Sequence, residues 1–390
     1  MEMTAESQVD DPQAHALYDR MVQALREAET LYFESEYRYG FEDAPWEPVT
    51  YRAWLKKPNC ARLEAWVNGT LEGVLVGDGE HFTTYWPGGR PRKWRQTDEE
   101  YERTCREVYL QKPSPPGRHS LAHETMWLAG PMMMTIIDLS TFHGYTDSLQ
   151  PTMDGVTSLG AQLLDGREHD GIRVGFMGGQ RTWDLWLSPD DHLPRRLRQT
   201  VHAYRDITTD EIWSEVKTNE DMCVGELFSW TPPEGWREWQ SPATDLLPLG
   251  TEAPDLELPD MDGRLGRISD YYGRVVWLVF WRIGCPACQD EIPQLQRIHE
   301  EFADQGLTVL GINKADDETR LAQFLEQHNV TFRNLRVTLD SWEHVFNAWP
   351  KCGVPTTYII DRDGKIAAAW EGSGADDARG RKALAELGIG

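Results

Sequence analysis

Basic residues are scarce in this chain. Its 39 Lys and Arg face 64 Asp and Glu, a net charge of −25 at pH 7 over 390 residues. Such a balance favours solubility and argues against nucleic acid or an anionic membrane surface as a direct partner. Long apolar runs are lacking, so no segment reads as membrane-spanning. The first 240 residues hold no phosphate loop, no dinucleotide fingerprint and no C-x-x-C. The zinc-protease pattern H-E-x-x-H is missing too, because Trp127 stands where its second histidine belongs. His119 and His123 would share one helix face, but two ligands are too few for a metal site. No metal and no cofactor is therefore assigned. The opening Met1-Glu-Met-Thr-Ala-Glu does not have the pattern of a secretory signal. Cysteine is sparse, with six in all. Cys60, Cys105, Cys223 and Cys352 are widely spread, and the sequence does not choose among their pairings.

The other two cysteines form Cys285-Pro-Ala-Cys288. A strand-like run, Arg274 to Trp281, precedes them, and a helix-like run, Gln289 to Ile298, follows. A helix N-terminus carries about half a positive charge and unpaired N–H groups. Both favour a thiolate on Cys285, and the thiolate is the nucleophile of thiol–disulfide exchange. Cys288, one turn on, is placed to resolve a mixed disulfide. A zinc knuckle shares the spacing, but it needs a second Cys or His pair nearby, and none is present.

The surrounding pattern predicts an α/β sandwich with a mixed sheet. Gly273 to Trp281 reads as a buried central strand. Ile292, Leu295, Ile298 and Phe302 repeat at helical spacing up to Gly306. Leu307 to Asn313 reads as a strand, Asp316 to Asn329 as a helix and Ser341 to Trp349 as a short helix. Thr356 to Ile360 and Lys365 to Trp370 read as strands joined through Asp363-Gly364, and Asp376 to Leu387 as a closing helix.

Gly250-Thr-Glu-Ala-Pro254, Leu256 to Gly263, Phe280-Trp281, Cys285 to Cys288 and Gly353-Val-Pro-Thr-Thr-Tyr-Ile-Ile-Asp361 together resemble the thioredoxin-like redoxins of the TlpA/ResA (AhpC/TSA-redoxin) type. The resemblance covers residues from about 248 to 390. It implies a thiol–disulfide oxidoreductase with Cys285 attacking and Cys288 resolving. It also implies a cis peptide before Pro355, against the plainer reading of a trans proline starting a strand. A cis bond would turn the Val354 backbone toward the cysteines, where it could pair with an extended client segment. Val354 and Trp281 are the expected client contacts. Glu291, three residues after Cys288, is either a buried carboxylate that raises thiol pKa values and moves a proton, or a solvated surface glutamate.

The chain departs from that pattern in places. Gly284 replaces a frequent tryptophan, and Arg282 either adds positive charge near Cys285 or lies on the surface. Val279 stands where thioredoxins proper bury an aspartate, which leaves Glu291 as the obvious substitute acid. Arg282 also occupies the position of the peroxiredoxin threonine, which argues against peroxidase activity. Cys352, three residues before Pro355, is expected toward the rim of the site, either as an alternative disulfide partner or as a thiol with no role.

The seam Gln240 to Gly250 carries two prolines and no periodicity. The expected division is a first domain at 11–240, a linker at 241–250 and the redoxin domain at 251–390. In the first domain Asp11 suits an N-cap and Pro12 a first helical turn. Strands of alternating character follow from Tyr32 to Trp86, with hairpin signals at Asn68-Gly69 and Asp78-Gly79. A mainly helical stretch is expected from Asp98 to about Leu139, then a second meander from Gly155 to about Trp230 with turns at Asp165-Gly166, Asp170-Gly171 and Gly178-Gly179. The predicted fold is α+β, a curved antiparallel sheet forming an unclosed barrel with helices.

The residues behind a second resemblance are Tyr51 to Pro58, Arg62 to Trp66, Asp170 to Val174, Trp183 to Leu187 and Leu193-Pro194. They resemble the lipoprotein carriers typified by LolA and LppX. That class implies a lipid or lipoprotein partner, with Met126 and Met132 to Met134 over an apolar pocket. The same residues also suit ordinary core packing.

The function expected from the sequence is thiol–disulfide exchange between Cys285–Cys288 and a disulfide-bearing client, with a thiol reductant or oxidant as second partner. The alternative is a lipid or lipoprotein carrier with an accessory redoxin. Both resemblances imply the periplasm or cell envelope, whereas the unremarkable N-terminus keeps a cytoplasmic location open.

Overall fold

The computed structural model describes residues 10–41, 44–45, 47–91, 97–114, 121–126, 128–129, 133–145, 147, 149–203, 205–221, 225–239, 246–314, 316–349, 353–372 and 378–390. His119, Trp127, Met132, Cys223 and Cys352 lie outside them. The chain divides into two compact units that part between Ser241 and Pro242.

The N-terminal unit opens with α1 (Pro12–Glu27). The Asp11 carboxylate accepts the N–H groups of Gln13 at 2.9 Å and Ala14 at 3.5 Å, and Pro12 fills the first turn. Ala14, Tyr18, Met21 and Leu25 form its buried stripe. Five strands then run as a meander beside β1 (Thr30–Phe41): β2 (Val49–Lys56), β3 (Cys60–Val67), β4 (Thr70–Asp78), β5 (His81–Tyr85) and β6 (Val108–Pro113). A second meander comprises β7 (Met153–Leu164), β8 (Arg167–Phe176), β9 (Arg181–Leu187), β10 (Pro194–Val201) and β11 (Ile207–Thr218). β11 pairs antiparallel with β1, from Leu31 opposite Thr218 to Phe41 opposite Ile207, and so joins the meanders. With β12 (Arg237–Glu238) and the short strand Ala44–Pro45 they make one 13-stranded sheet, ordered β12-β6-β5-β4-β3-β2-β1-β11-β10-β9-β8-β7. Its two end strands do not pair with each other, and its pairs are antiparallel except β12 with β6.

Hairpin chemistry explains two of the tight turns. Asn68 and Gly69 have φ of 49° and 77°, and Asp165 and Gly166 have 49° and 80°. Both pairs are the positive-φ doublets of a two-residue hairpin. Asp170-Gly171, expected at a turn, instead lies inside β8. A Cβ on Gly171 would come 2.6 Å from the carbonyl oxygen of Gly160, so the glycine there serves close backbone approach rather than turning. The expected helical stretch from Asp98 to Leu139 is also corrected. Among the described residues it holds the helix α2 (Asp98–Thr104), then β6, a single helical turn Leu121–Glu124 and a 3-10 turn Leu139–His143. Tyr109 and Leu110 give β6 its strand character, and its outer half is exposed, which hides any apolar alternation.

One face of this sheet is apolar and carries the buried acid Glu211. Glu211 is fully buried and accepts from the Tyr51 hydroxyl, from Trp213 Nε1 at 3.0 Å and from the N–H of Ile136 at 2.5 Å. Burial pushes its carboxyl pKa up. The other parity along the strands builds a row of alternating charge: Arg173 on β8 faces Asp184, Asp184 faces Arg198, Arg198 faces Asp210 and Asp210 faces Arg38. Arg173 and Asp184 pair bidentately at 2.6 and 2.7 Å. Opposite charges directly across neighbouring strands stabilise the register. The space under α1 lined by Tyr18, Met21, Leu25, Ile137, Asp147 and Trp183 amounts to about 10 Å³. That is room for about one water, within the apolar core of this unit; of the methionines expected over a lipid pocket, Met126 and Met134 are half-buried. Met133 is itself buried in that core.

In the C-terminal unit a small hairpin, β13 (Glu257–Pro259) and β14 (Leu265–Arg267), precedes the central strand β15 (Val275–Trp281). α3 (Pro286–Phe302), β16 (Leu307–Lys314), α4 (Glu318–Gln327), β17 (Arg333–Val337), α5 (Leu339–Ala348), β18 (Thr356–Ile360), β19 (Ile366–Glu371) and α6 (Ala378–Glu386) follow. The sheet order is β17-β16-β15-β18-β19. β15, β16 and β17 run parallel, and β18 and β19 are antiparallel to their neighbours. All seven residues of β15 are buried. Val275, Trp277, Val279 and Trp281 pack on the side of Ile292, Leu295, Leu321 and Leu384, while Val276, Leu278 and Phe280 pack against Val345, Trp349 and Leu256. The two-residue period of a strand thus feeds two cores at once. β17 was not among the expected elements. Three of its five residues, Arg333, Asn334 and Arg336, are polar, which breaks the apolar run expected of a strand.

Candidate functional site

β15 ends at Trp281, the segment Arg282-Ile283-Gly284 turns the chain, and Cys285 is the N-cap of α3. Its carbonyl accepts the N–H groups of Cys288 at 3.0 Å and Gln289 at 3.1 Å, and its sulfur accepts the N–H of Cys288 at 3.3 Å. Pro286 takes the first helical position, where no N–H is required. Both are thiols, and the Cys288 Sγ–H donates to Cys285 Sγ at 2.6 Å. They are not equivalent. Cys285 is half-buried, whereas Cys288 is fully buried. Burial pushes the Cys288 thiol well above its ordinary pKa, with the Cys285 sulfur next to it and the Glu291 charge adding to the rise. The arrangement offers one sulfur to solvent at a helix N-terminus and keeps a second behind it.

The Val354–Pro355 peptide is cis. The Val354 carbonyl lies 3.6 Å from the Cys285 sulfur, with Val354 half-buried and Gly353 exposed beside it. Glu291 is buried completely, so the surface alternative is excluded, and it lies near enough to Cys288 for its charge to be felt there. Trp281, expected at the client face, is instead fully buried. Its indole N–H donates to Asn334 Oδ1 at 2.9 Å, and Asn334 Nδ2 donates to the Phe332 carbonyl at 3.0 Å. The reason is parity. Trp281 points, like Val279, into the core under α3, and so forms the floor of the site.

Three residues of this neighbourhood were not singled out by the sequence. Asp316 is buried and accepts the N–H of Ile283 at 2.6 Å and Asn313 Nδ2 at 2.8 Å. Its carboxyl pKa is raised by burial, against the pull of Arg282, Arg320 and the two donors. The charge of Arg282 therefore bears on Asp316. Gln289 Nε2 donates to the carbonyl of Ile283 at 2.9 Å, and Asn334 completes the floor. The available signal was the doubled Asp316-Asp317. One aspartate suffices to cap α4, and Asp317 does so through the N–H groups of Thr319 and Arg320. The other is left to turn inward.

Elsewhere, Cys60 is half-buried and Cys105 buried, both as thiols. Among the described residues no group of three or more His, Cys, Asp or Glu could hold a metal ion. Among them, too, no helix is long and apolar enough to cross a membrane.

Residues 249–369 match the AhpC/TSA family. The chain is similar to the thiol-disulfide oxidoreductase ResA of Geobacillus thermodenitrificans (strain NG80-2), at 33% identity over 118 residues, 30% of this chain and 66% of that protein. It is similar to the ResA of Bacillus subtilis (strain 168) at 29% identity over 124 residues, 32% of this chain and 68% of the relative. The chain thus spans about two thirds of the length of these relatives. Among solved structures, a putative thiol:disulfide interchange protein DsbE from Chlorobium tepidum is 26% identical, with a TM-score of 0.33, over 36% of this chain and 98% of the other.

Proposed function

We propose, taking the C-terminal AhpC/TSA redoxin domain as premise, that the protein is a thiol–disulfide oxidoreductase whose working couple is Cys285–Cys288. The observation that carries the reading is the inequality of the two thiols: one half-exposed at a helix N-cap with an N–H on its sulfur, the other buried behind it with its pKa raised.

In the reducing direction the Cys285 thiolate attacks one sulfur of a client disulfide. The client S–S bond breaks, its other sulfur leaves as a thiolate and takes a proton, and a mixed disulfide remains. Cys288 then loses its proton and attacks Cys285 Sγ. The second client sulfur leaves and is protonated, and the Cys285–Cys288 disulfide forms. Two electrons and two protons have passed to the client. The oxidising direction is the same sequence reversed, and a thiol donor or a disulfide oxidant resets the couple. We assign to Glu291, a buried carboxylate whose charge bears on Cys288, the role of taking the Cys288 proton. The Val354 carbonyl, turned to the sulfur by the cis bond, would receive an N–H of an extended client segment as an edge strand does. Clients of this kind hold their disulfides in oxidising compartments, so the reading places the exchange in the cell envelope.

The test is client trapping with Cys288→Ser, whose Cys285 can attack but not be displaced. A mixed disulfide with a model disulfide peptide, absent in Cys285→Ser, is expected. No adduct, or an adduct on another cysteine, would sink the reading.

A further inference from the structure

We propose that Asp316 is a positioning residue for Cys285. It clamps the segment Arg282-Ile283-Gly284 between the end of β16 and the start of α3, and so sets the effective concentration of Cys285 at Cys288. This rests on the redox reading above and adds to it a residue that lies outside the Cys-Pro-Ala-Cys motif.

The peptide groups of Ile283 are held from both sides. Its N–H goes to Asp316 Oδ2 at 2.6 Å, from the chain following β16. Its carbonyl receives Gln289 Nε2 at 2.9 Å, from the first turn of α3. The Ile283 side chain is itself buried in the core under α3. The carboxylate is anchored in turn, because Asn313 Nδ2 donates to the same oxygen at 2.8 Å. Cys285 follows Ile283 by two residues. With Ile283 fixed to the helix that carries Cys288, only Gly284 separates Cys285 from a fixed backbone, which narrows its freedom relative to Cys288. An intramolecular disulfide gains directly from such restriction, since its equilibrium scales with the effective concentration of one thiol at the other. Releasing the clamp leaves both sulfurs in place chemically and lowers that concentration.

The full chain is equilibrated in glutathione buffers and the fraction of Cys285–Cys288 disulfide is read by alkylation and mass spectrometry. Asp316→Ala is expected to lower the equilibrium constant for disulfide formation about tenfold, which is a potential about 30 mV more positive. Asp316→Asn keeps an acceptor oxygen for the Ile283 N–H and is expected to stay within threefold of wild type. Asparagine keeps the side-chain shape as well as the acceptor, so this pair alone does not tell the clamp from packing, and a further variant does. Gln289→Ala opens the clamp from the helix side without touching the buried acid, and is expected to move the constant in the same direction as Asp316→Ala. If Asp316→Ala does not fold, Gln289→Ala carries the test. A folded Asp316→Ala or Gln289→Ala within twofold of wild type overturns the clamp while leaving the redox couple standing. A wild-type chain without a reversible couple overturns both.

Discussion

A single methyl group on Gly311 is expected to undo the floor of the site. Gly311 lies on β16 directly opposite Asn334 of β17. A Cβ built there would sit 2.0 Å from Asn334 Oδ1 and 2.9 Å from Trp281 Nε1. Neither approach is tolerable, so in Gly311→Ala the Asn334 amide must leave. Two hydrogen bonds go with it, from Trp281 Nε1 and to the Phe332 carbonyl. All the partners are buried, and a buried polar group left unsatisfied costs about 1–3 kcal/mol. Alanine recovers about 0.5–1 kcal/mol over glycine in a strand. The net loss is therefore about 1–5 kcal/mol. Amide hydrogen exchange read by mass spectrometry isolates it, because β15 and β16 can be followed separately from the N-terminal unit. Peptides covering 275–281 and 307–314 should exchange at least about fivefold faster, since about 1.4 kcal/mol is a factor of ten. Peptides from the N-terminal sheet should not change. Adding Asn334→Ala to Gly311→Ala should cost much less than the sum of the two, since the clash is then already gone. A Gly311→Ala chain with protection within threefold of wild type would refute the reasoning.

Other consequences can be checked with equal directness. In Glu291→Gln the negative charge that helps raise the Cys288 thiol is gone, so the pH profile for resolving a Cys285 mixed disulfide should move to lower pH; an unmoved profile counts against a role for Glu291. Asp147, buried beside Asp138, has its pKa raised to about 6. A carboxyl raised in the folded state binds its proton more tightly than in the unfolded chain, so its ionisation lowers stability as pH climbs from about 4 to 6 and no further above that. Relative to wild type, Asp147→Asn should therefore gain up to about 3 kcal/mol between pH 4 and pH 7, read from unfolding at both pH values, and a difference independent of pH contradicts this. A double-mutant cycle on Arg173 and Asp184 should give a coupling of about 1 kcal/mol that shrinks in 1 M salt; zero coupling at low salt would remove the charge row from the forces that fix the register.

Much of the redoxin unit could be read from the sequence because its signals are local and unopposed. Val275 to Trp281 is an unbroken apolar run, and Ile292, Leu295, Ile298 and Phe302 keep helical spacing. β17 escaped for the converse reason: three of its five residues are polar, and five residues are too few to establish a period. In the N-terminal unit the positive-φ doublets at Asn68-Gly69 and Asp165-Gly166 fix their turns by themselves. Asp170-Gly171 shows the same dipeptide chosen for a different physical need, close backbone approach, which no local pattern distinguishes. The site divides likewise. Cys285, Cys288, Glu291 and Pro355 announce themselves by spacing and resemblance. Asp316 and Gln289 act through the Ile283 backbone, and Asn334 through the Trp281 indole. Contacts of that kind bring together residues far apart in the chain and exist only once the sheet is folded.

The central claim is that Cys285 and Cys288 form one reversible dithiol–disulfide couple. Titrating the chain in glutathione buffers, with alkylation and mass spectrometry of the peptide that holds both cysteines, tests it most directly. The account predicts a single two-electron transition confined to that peptide. A midpoint near or below about −250 mV would mark a reductase that needs an electron donor, and one above about −180 mV an oxidant or isomerase. Two thiols that stay reduced across the whole range, or that oxidise only to other cysteines, would contradict it.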